Sequence, residues 1–346
     1  MKELLITSTR MGAGKTSLGI GVGLAMGGTG YFKPLGDRIK DGVDEDVMLF
    51  KGIFDLPEKS EDLSVENDYR GILRDTTFKE DIRQELEEKY RKVSRTHELM
   101  VVESAHNLTY GSYANLCAPC ISSILDIATL IVCEGSKEET VDKLAFARSY
   151  FALRKAHILG VVLNKLGEEE MNRKEEIISE IKELGLQSYG AIPRTRTLDT
   201  ITVSEIADSL EAEILAGEEG LGNIVEHILV GAMTLDSAIR ILQRLAYQNN
   251  AIITGGDRSD IQLLAFEMPT SCLILTGNVF PSSSVLTKAD RFHIPVLFVP
   301  LDTVTTAEKV ERVQSKLKYA QAEKLSSLER NIKKYVDLEA ILGSLG

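Results

Sequence analysis

The chain has 346 residues, 43% of them hydrophobic, with four cysteines and a formal net charge of -12. That length suits two domains, and the acidic balance excludes wholesale coating of DNA or RNA, as the lack of Trp and scarcity of aromatics excludes base-stacking platforms. No run approaches the roughly 18 apolar residues of a membrane span, the start shows no signal-peptide pattern, and four cysteines make no disulfide framework. A cytoplasmic protein with no nucleic-acid and no membrane partner is expected.

Strand and helix signals alternate through the first two hundred residues. Leu4–Thr7 reads as a strand, a small-residue loop follows, and Lys15 to about Met26 reads as a helix. Residues 30–34, Gly-Tyr-Phe-Lys-Pro, form a second short strand that Pro34 ends. Residues 41–97 are polar, with a helical pattern near 78–92. Leu99–Glu103 is a buried-type strand ending in an acid. Strands at Thr129–Cys133, His157–Leu163 and Ser188–Ile192 alternate with helices at Thr140–Leu153 and Lys174–Leu184. Short apolar strands between amphipathic helices predict an α/β fold, a parallel sheet with helices on both faces. After a charged, Gly-bearing stretch at 216–222, strands at Ala251–Thr254, Cys272–Thr276 and Pro295–Val299 mark a smaller α/β domain. The chain then turns helical and charged, with a break expected at Ser326-Ser327. The predicted division is 1–209, 210–315 and a helical C-terminal tail, 316–346.

The run STRMGAGKT (8–16) ends as a phosphate-binding loop ends, between a strand and a helix. Such a loop presents successive backbone N–H groups, and the helix N-terminus adds partial positive charge. Gly12 and Gly14 open backbone conformations closed to other residues. Lys15 can reach terminal phosphates and Thr16 can ligate Mg²⁺, with Ala13 and Ser17 completing the cradle. Thr9 stands where the commonest form of this loop has its first Gly. Arg10, five places before Lys15, reads either as solvent-facing or as a group that stabilises transferring phosphate charge.

Those residues, with GYFKPLGD (30–37), DEDVMLF (44–50), MVVESAHN (100–107), GVVLNK (160–165) and GAIPR (190–194), resemble dethiobiotin synthetase and its ATPase relatives over about 1–200. The resemblance implies a P-loop NTPase sheet, ATP and Mg²⁺ as cofactors, and a homodimer. It places Lys33 on substrate and phosphate, Asp46 and Glu103 beside Thr16 on the metal, and Asn164 with Pro193 at the adenine. Lys15, Lys33 and Arg10 are the expected catalytic groups. A strand-end carboxylate such as Glu103 sits where open α/β sheets hold ligands. Asp46, among Asp41, Asp44 and Glu45, reads equally as part of an acidic surface loop. Glu103 is followed by Ser104-Ala105-His106-Asn107 where dethiobiotin synthetases carry a Gly-rich loop, which disfavours biotin chemistry.

In the second domain, ITGGDRSDIQLLAF (253–266), VGAMTLDSAIRIL (230–242), LILTGN (273–278) and IPVLFVPLDTVTTAEKV (294–310) resemble the DRTGG domain. The two resemblances in this order resemble the N-terminal, non-catalytic half of long phosphotransacetylases, and imply that the acetyl-transferring domain is absent. Gly255, Gly256, Asp257 and Arg258 are an expected effector site for a small anion, or simply a turn with cap chemistry. Asp257, Ser259 or Asp260 is expected to cap the next helix, and Thr305 with Glu308 to form a capping box. Cys117-Ala118-Pro119-Cys120 reads as buried small hydrophobes before it reads as redox or metal chemistry. The expected function is a regulatory or sensor ATPase with an unidentified effector. The alternative is a ligase that activates a carboxylate or carbamate for C–N bond formation.

Overall fold

The computed structural model describes residues 2–37, 39–40, 42–65, 69, 79–195, 201–231, 248–314 and 322–345. The chain makes two compact units. The first joins residues up to 195 with those from 322 on, and the second holds the described residues between 201 and 314.

In the first unit the strands are β1 (Lys2–Ser8), β2 (Thr29–Phe32), the short antiparallel pair β3 (Ile39–Lys40) and β4 (Val43–Asp44), β5 (Leu99–Glu103), β6 (Thr129–Cys133), β7 (Ile158–Leu166) and β8 (Ser188–Pro193). Six of them form one parallel sheet in the order β2-β5-β1-β6-β7-β8. Every residue of β2, β5 and β6 is buried, as continuous apolar runs in a sheet covered on both faces must be. The helix α1 (Lys15–Met26) follows β1, and α2 (Glu45–Ile53) follows β4. Asp44 starts α2 because its carboxylate accepts from the Asp46 and Val47 amides.

The described part of the expected helical tail belongs to this first unit. The helix Ala322–Tyr335 runs unbroken through Ser326-Ser327, against expectation, and buries Leu328 and Ile332. Ile332 packs on α1 at Gly21, and Val336 bridges Gly190 of β8. Asp337 N donates to Tyr189 O at 2.8 Å, and Asn331 Nδ2 to Thr195 Oγ1 at 3.0 Å. The 3.6-residue period announced a helix but carried no information about its distant partners. The helix breaks at Val336-Asp337, where Asp337 caps Leu338–Ser344.

The second unit contains β9 (Ile201–Thr202), β10 (Glu213–Ala216), β11 (Ile224–Val225), β12 (His227–Val230), β13 (Asn250–Gly255), β14 (Thr270–Thr276) and β15 (Val296–Phe298). β10-β15-β14-β13-β12 is a sheet, parallel except at the β10 edge, and β9 pairs with β11. Alternate strand residues serve two cores. Ile253, Ile274 and Leu297 face one, and Ile252, Leu273 and Leu275 the other. The helix Val203–Leu210 buries Val203, Ile206 and Leu210 in the first of these. Its residues therefore sit with the second unit, and the boundary expected at 209/210 falls before 201. A capping box starts that helix: Thr202 Oγ1 accepts from Glu205 N at 3.3 Å, and Glu205 Oε2 from Thr202 N at 2.7 Å. Thr202→Ala is expected to destabilise by about 1 kcal/mol, read as a lower urea midpoint.

At 303–314 the cap is Asp302, whose carboxylate accepts from the Val304 and Thr305 amides and from Thr305 Oγ1. Thr305 is therefore the capped residue, and the expected Thr305–Glu308 box does not form there. Most of the matched stretch 230–242 lies outside the described residues, as does Asp41. No described helix is long and apolar enough to cross a membrane.

Candidate functional site

Side chains hold the loop between β1 and α1 through its carbonyls. Asn164 Nδ2, from β7, donates to Ala13 O at 2.8 Å, and Lys165 Nζ to Gly12 O at 2.8 Å. Ser8 Oγ donates to Arg10 O at 2.8 Å. Gly14 takes a φ of 97°, and a Cβ there would meet the Asn164 amide. Only glycine satisfies both the left-handed backbone and that close approach. The first turn of α1 carries no acid, so its N-terminal dipole is left to favour an anion. Asn164, expected at an adenine, thus latches the loop. Ser17 stands half-buried on the first turn, and Pro193 ends β8, paired with Leu166.

Lys15 is buried and donates to His106 O at 2.8 Å. Burial lowers its pKa against the opposing pull of Glu103 and Asp37. Thr16 Oγ1 donates to Glu103 Oε1 at 2.8 Å, and Tyr31 OH to Glu103 Oε2 at 3.0 Å. Glu103 ends β5 at 1% exposure. Burial, then the nearby Asp46 charge, pushes its carboxyl up to about 7.

Lys33, also 1% exposed, lies among three carboxylates. Its Nζ is 2.6 Å from Asp46 Oδ2, 2.7 Å from Asp37 Oδ1 and 3.0 Å from Asp44 Oδ2. Burial opposes the ammonium charge, but Asp46, Asp44 and Asp37 outweigh it and hold the pKa above the ordinary lysine value. Asp37 Oδ2 also accepts from His106 N at 2.7 Å, which ties the cage to the carbonyl that holds Lys15. The three aspartates place their oxygens within 4.8 Å of one another.

The structure thus brings together Lys15, Thr16, Lys33, Asp46 and Glu103. Asp46 is buried, so it is no member of an acidic surface loop. Sequence reasoning missed Asp37, Asp44 and Tyr31. Asp44 had a readable signal, an Asp directly before a helix, whereas Tyr31 looked like any strand aromatic. Arg10 is set apart from the cage. Its Nη2 lies 3.8 Å from Glu134 Oε1, the oxygen that Arg194 Nη2 also approaches at 3.4 Å.

In the second unit, the expected effector loop follows β13. Gln262 Nε2 donates to Gly255 O at 2.9 Å and Gly256 O at 3.0 Å. Gly256 is required because the Val279 carbonyl occupies the space of a Cβ. Arg258 forks onto Asp260, Nε to Oδ1 at 2.9 Å and Nη2 to Oδ2 at 3.0 Å, and no side chain caps the helix Ser259–Ala265. Asp257 lies beside Gly255. The loop's glycines are therefore fixed by packing, and its arginine already holds a carboxylate.

Comparison with known proteins agrees with this architecture. Residues 2–202 match an AAA domain family, AAA_26, and residues 205–313 match the DRTGG domain. The chain is similar to the phosphate acetyltransferase of Nitrosomonas europaea, at 21% identity covering 100% of this chain and 52% of that protein. It is also similar to that of Nitratidesulfovibrio vulgaris, at 22% identity covering 97% and 50%. The chain spans about half the length of these curated relatives. Among solved structures, the CBS and DRTGG domains of the regulatory region of Clostridium perfringens pyrophosphatase, complexed with the activator diadenosine tetraphosphate, share 28% identity over 35% of this chain and 49% of that one, with a TM-score of 0.28. The MinD cell division protein of Aquifex aeolicus shares 17% over 57% and 84%, with a TM-score of 0.37. Matched over more than half its length, the chain belongs to the AAA_26 family of dethiobiotin synthetase-like P-loop domains, joined to a DRTGG domain as in the N-terminal half of long phosphotransacetylases.

Proposed function

We propose that this protein binds ATP with Mg²⁺ in its first unit and acts as a regulatory or sensor ATPase. The observation that carries this reading is the contact at 2.8 Å between the half-buried Thr16, directly after the phosphate loop, and the buried Glu103. The Thr16 hydroxyl on the first turn of α1 and the Glu103 carboxylate at the end of β5 are hard oxygen donors that fit Mg²⁺, and Asp46 adds a third. The metal would neutralise phosphate charge. Lys15 then serves the terminal phosphates, and Lys33 orients the acids.

The regulatory reading is favoured over the ligase by the charge around Lys33. Three carboxylates surround one ammonium. An incoming carboxylate or carbamate substrate would meet net negative charge there, with Glu103 adjacent. In the second unit, the loops after β13 and β14 share one sheet edge, and we assign the effector to it, held by backbone groups since Arg258 is engaged by Asp260. A homodimer is proposed from the family resemblance, and a cytoplasmic location from the sequence composition.

Calorimetry of the purified chain tests the proposal. ATP with Mg²⁺ should release heat, with weaker binding when Mg²⁺ is chelated, and no heat from either titration overturns it. Arg10 is retained as a third catalytic group. Arg10→Ala is expected to cut turnover about 10³-fold while ATP affinity stays within about twofold. Unchanged turnover removes Arg10 from the mechanism.

A further inference from the structure

Cys117 and Cys120 flank the start of the helix Ala118–Leu125, with Cys117 in the capping position and Pro119 in the first turn. Two intervening residues bring the second sulfur around to the first, since a helix turns once in about 3.6 residues. The two Sγ atoms are in hydrogen-bond contact at 3.1 Å, and both thiols are free. Tyr150 OH lies 3.3 Å from Cys117 Sγ and 2.9 Å from Ser112 Oγ. Asn115 Oδ1 stands 4.0 Å from Cys120 Sγ. No use for this pair arises in nucleotide binding.

We propose that Cys117 and Cys120 form a dithiol modification site that a hydroperoxide converts to an intramolecular disulfide.

The arrangement divides the labour between the sulfurs. The Cys120 thiol and the Tyr150 hydroxyl can both donate to Cys117, at the positive end of a helix. The hydrogen bond from Cys120, then that from Tyr150, outweighs burial and brings the Cys117 thiol down to about 6, while the same contact pushes Cys120 upward. The other two cysteines are built-in controls. Burial pushes Cys133 and Cys272 each up to about 12. Cys117 and Cys133 are both fully buried, so access alone does not separate them and thiolate character does. That burial selects a small oxidant over a protein disulfide.

The chemistry closes in two steps. The Cys117 thiolate attacks the outer oxygen of the hydroperoxide. An S–O bond forms, the O–O bond breaks, the sulfur gives up two electrons, and the alkoxide or hydroxide leaves with the thiol's proton as ROH. The Cys120 sulfur then attacks Cys117 Sγ. The S–S bond forms, the S–O bond breaks, and the departing hydroxide takes the Cys120 proton as water. One dithiol and one ROOH become one disulfide, one ROH and one water. Contact at 3.1 Å leaves about 1 Å of approach to a bonded pair near 2.05 Å, within reach of two χ1 adjustments.

Peroxide titration of the reduced full chain tests this. After a stoichiometric dose of hydrogen peroxide, the remaining thiols are alkylated in denaturant and located by fragmentation mass spectrometry. The expected result is loss of two of the four thiols, a Cys117–Cys120 cross-link lighter by two hydrogens, and full recovery with dithiothreitol. Cys133 and Cys272 should be alkylated throughout, reacting with peroxide at least about tenfold more slowly. In Cys120→Ser, Cys117 should stop at a sulfenic acid that dimedone traps. Retention of all four thiols overturns the proposal. So does oxidation of Cys133 or Cys272 as fast as Cys117, or sulfinic acid at Cys117 without a cross-link.

Discussion

Lys33→Met is expected to cost about 3–5 kcal/mol of stability, the usual consequence of stripping the partner from buried charge. The reason is the inequality of the two sides. One ammonium serves Asp37, Asp44 and Asp46 at once, and all four groups are essentially removed from water. Methionine fills the same volume but leaves three acids to repel one another. The raised lysine pKa fixes the sign with pH. The contribution is present in full below the ordinary lysine value and fades only as pH rises past it. The variant's deficit should therefore be full at neutral pH and shrink as pH rises past the ordinary lysine value. Urea unfolding of both proteins at neutral and alkaline pH reads this. A deficit below about 1 kcal/mol at neutral pH would mean that the cage does not hold its charge as described.

Lys15→Ala is expected to weaken ATP binding by about 2–3 kcal/mol, or about 30- to 150-fold in Kd, the worth of charge-assisted hydrogen bonds to phosphate. Lys15 Nζ now rests on the His106 carbonyl. That carbonyl is a weaker partner for an ammonium than a polyphosphate is, so an arriving nucleotide takes the lysine from it. Burial lowers the Lys15 pKa in the absence of phosphate. A bound anion would raise it again, so binding should be accompanied by tighter proton retention at high pH. Calorimetry of the variant decides the matter, and an unchanged Kd would reduce the loop to an ordinary turn.

Much of this was legible in the residues. The strands Leu99–Glu103 and Thr129–Cys133 fall where their apolar runs place them, and α1 covers the predicted Lys15–Met26. Buried parallel strands advertise themselves because both faces must be apolar. The edge strands β10 and β12 did not, since each is four residues long and only partly buried. The site divided along similar lines. Lys15 and Thr16 announce themselves by local spacing. The Lys33 cage depends on three turns that bring Asp37, Asp44 and Asp46 together, and the Asp37–His106 link spans 69 positions. Asn164, expected at an adenine, has its amide on the loop backbone at Ala13, a contact spanning 151 positions that local spacing does not show.

The return of the helix Ala322–Tyr335 to α1 sets an order of events on the ribosome. The nucleotide-binding unit needs residues that emerge after the whole DRTGG unit has been made. The DRTGG unit, drawn from one stretch of the chain, can close while its neighbour still lacks a layer over Gly21 and β8. Domains fold as units during synthesis. The earlier-translated unit is therefore the later to finish, and a nascent chain stalled before residue 322 exposes the apolar surface that Leu328 and Ile332 would cover.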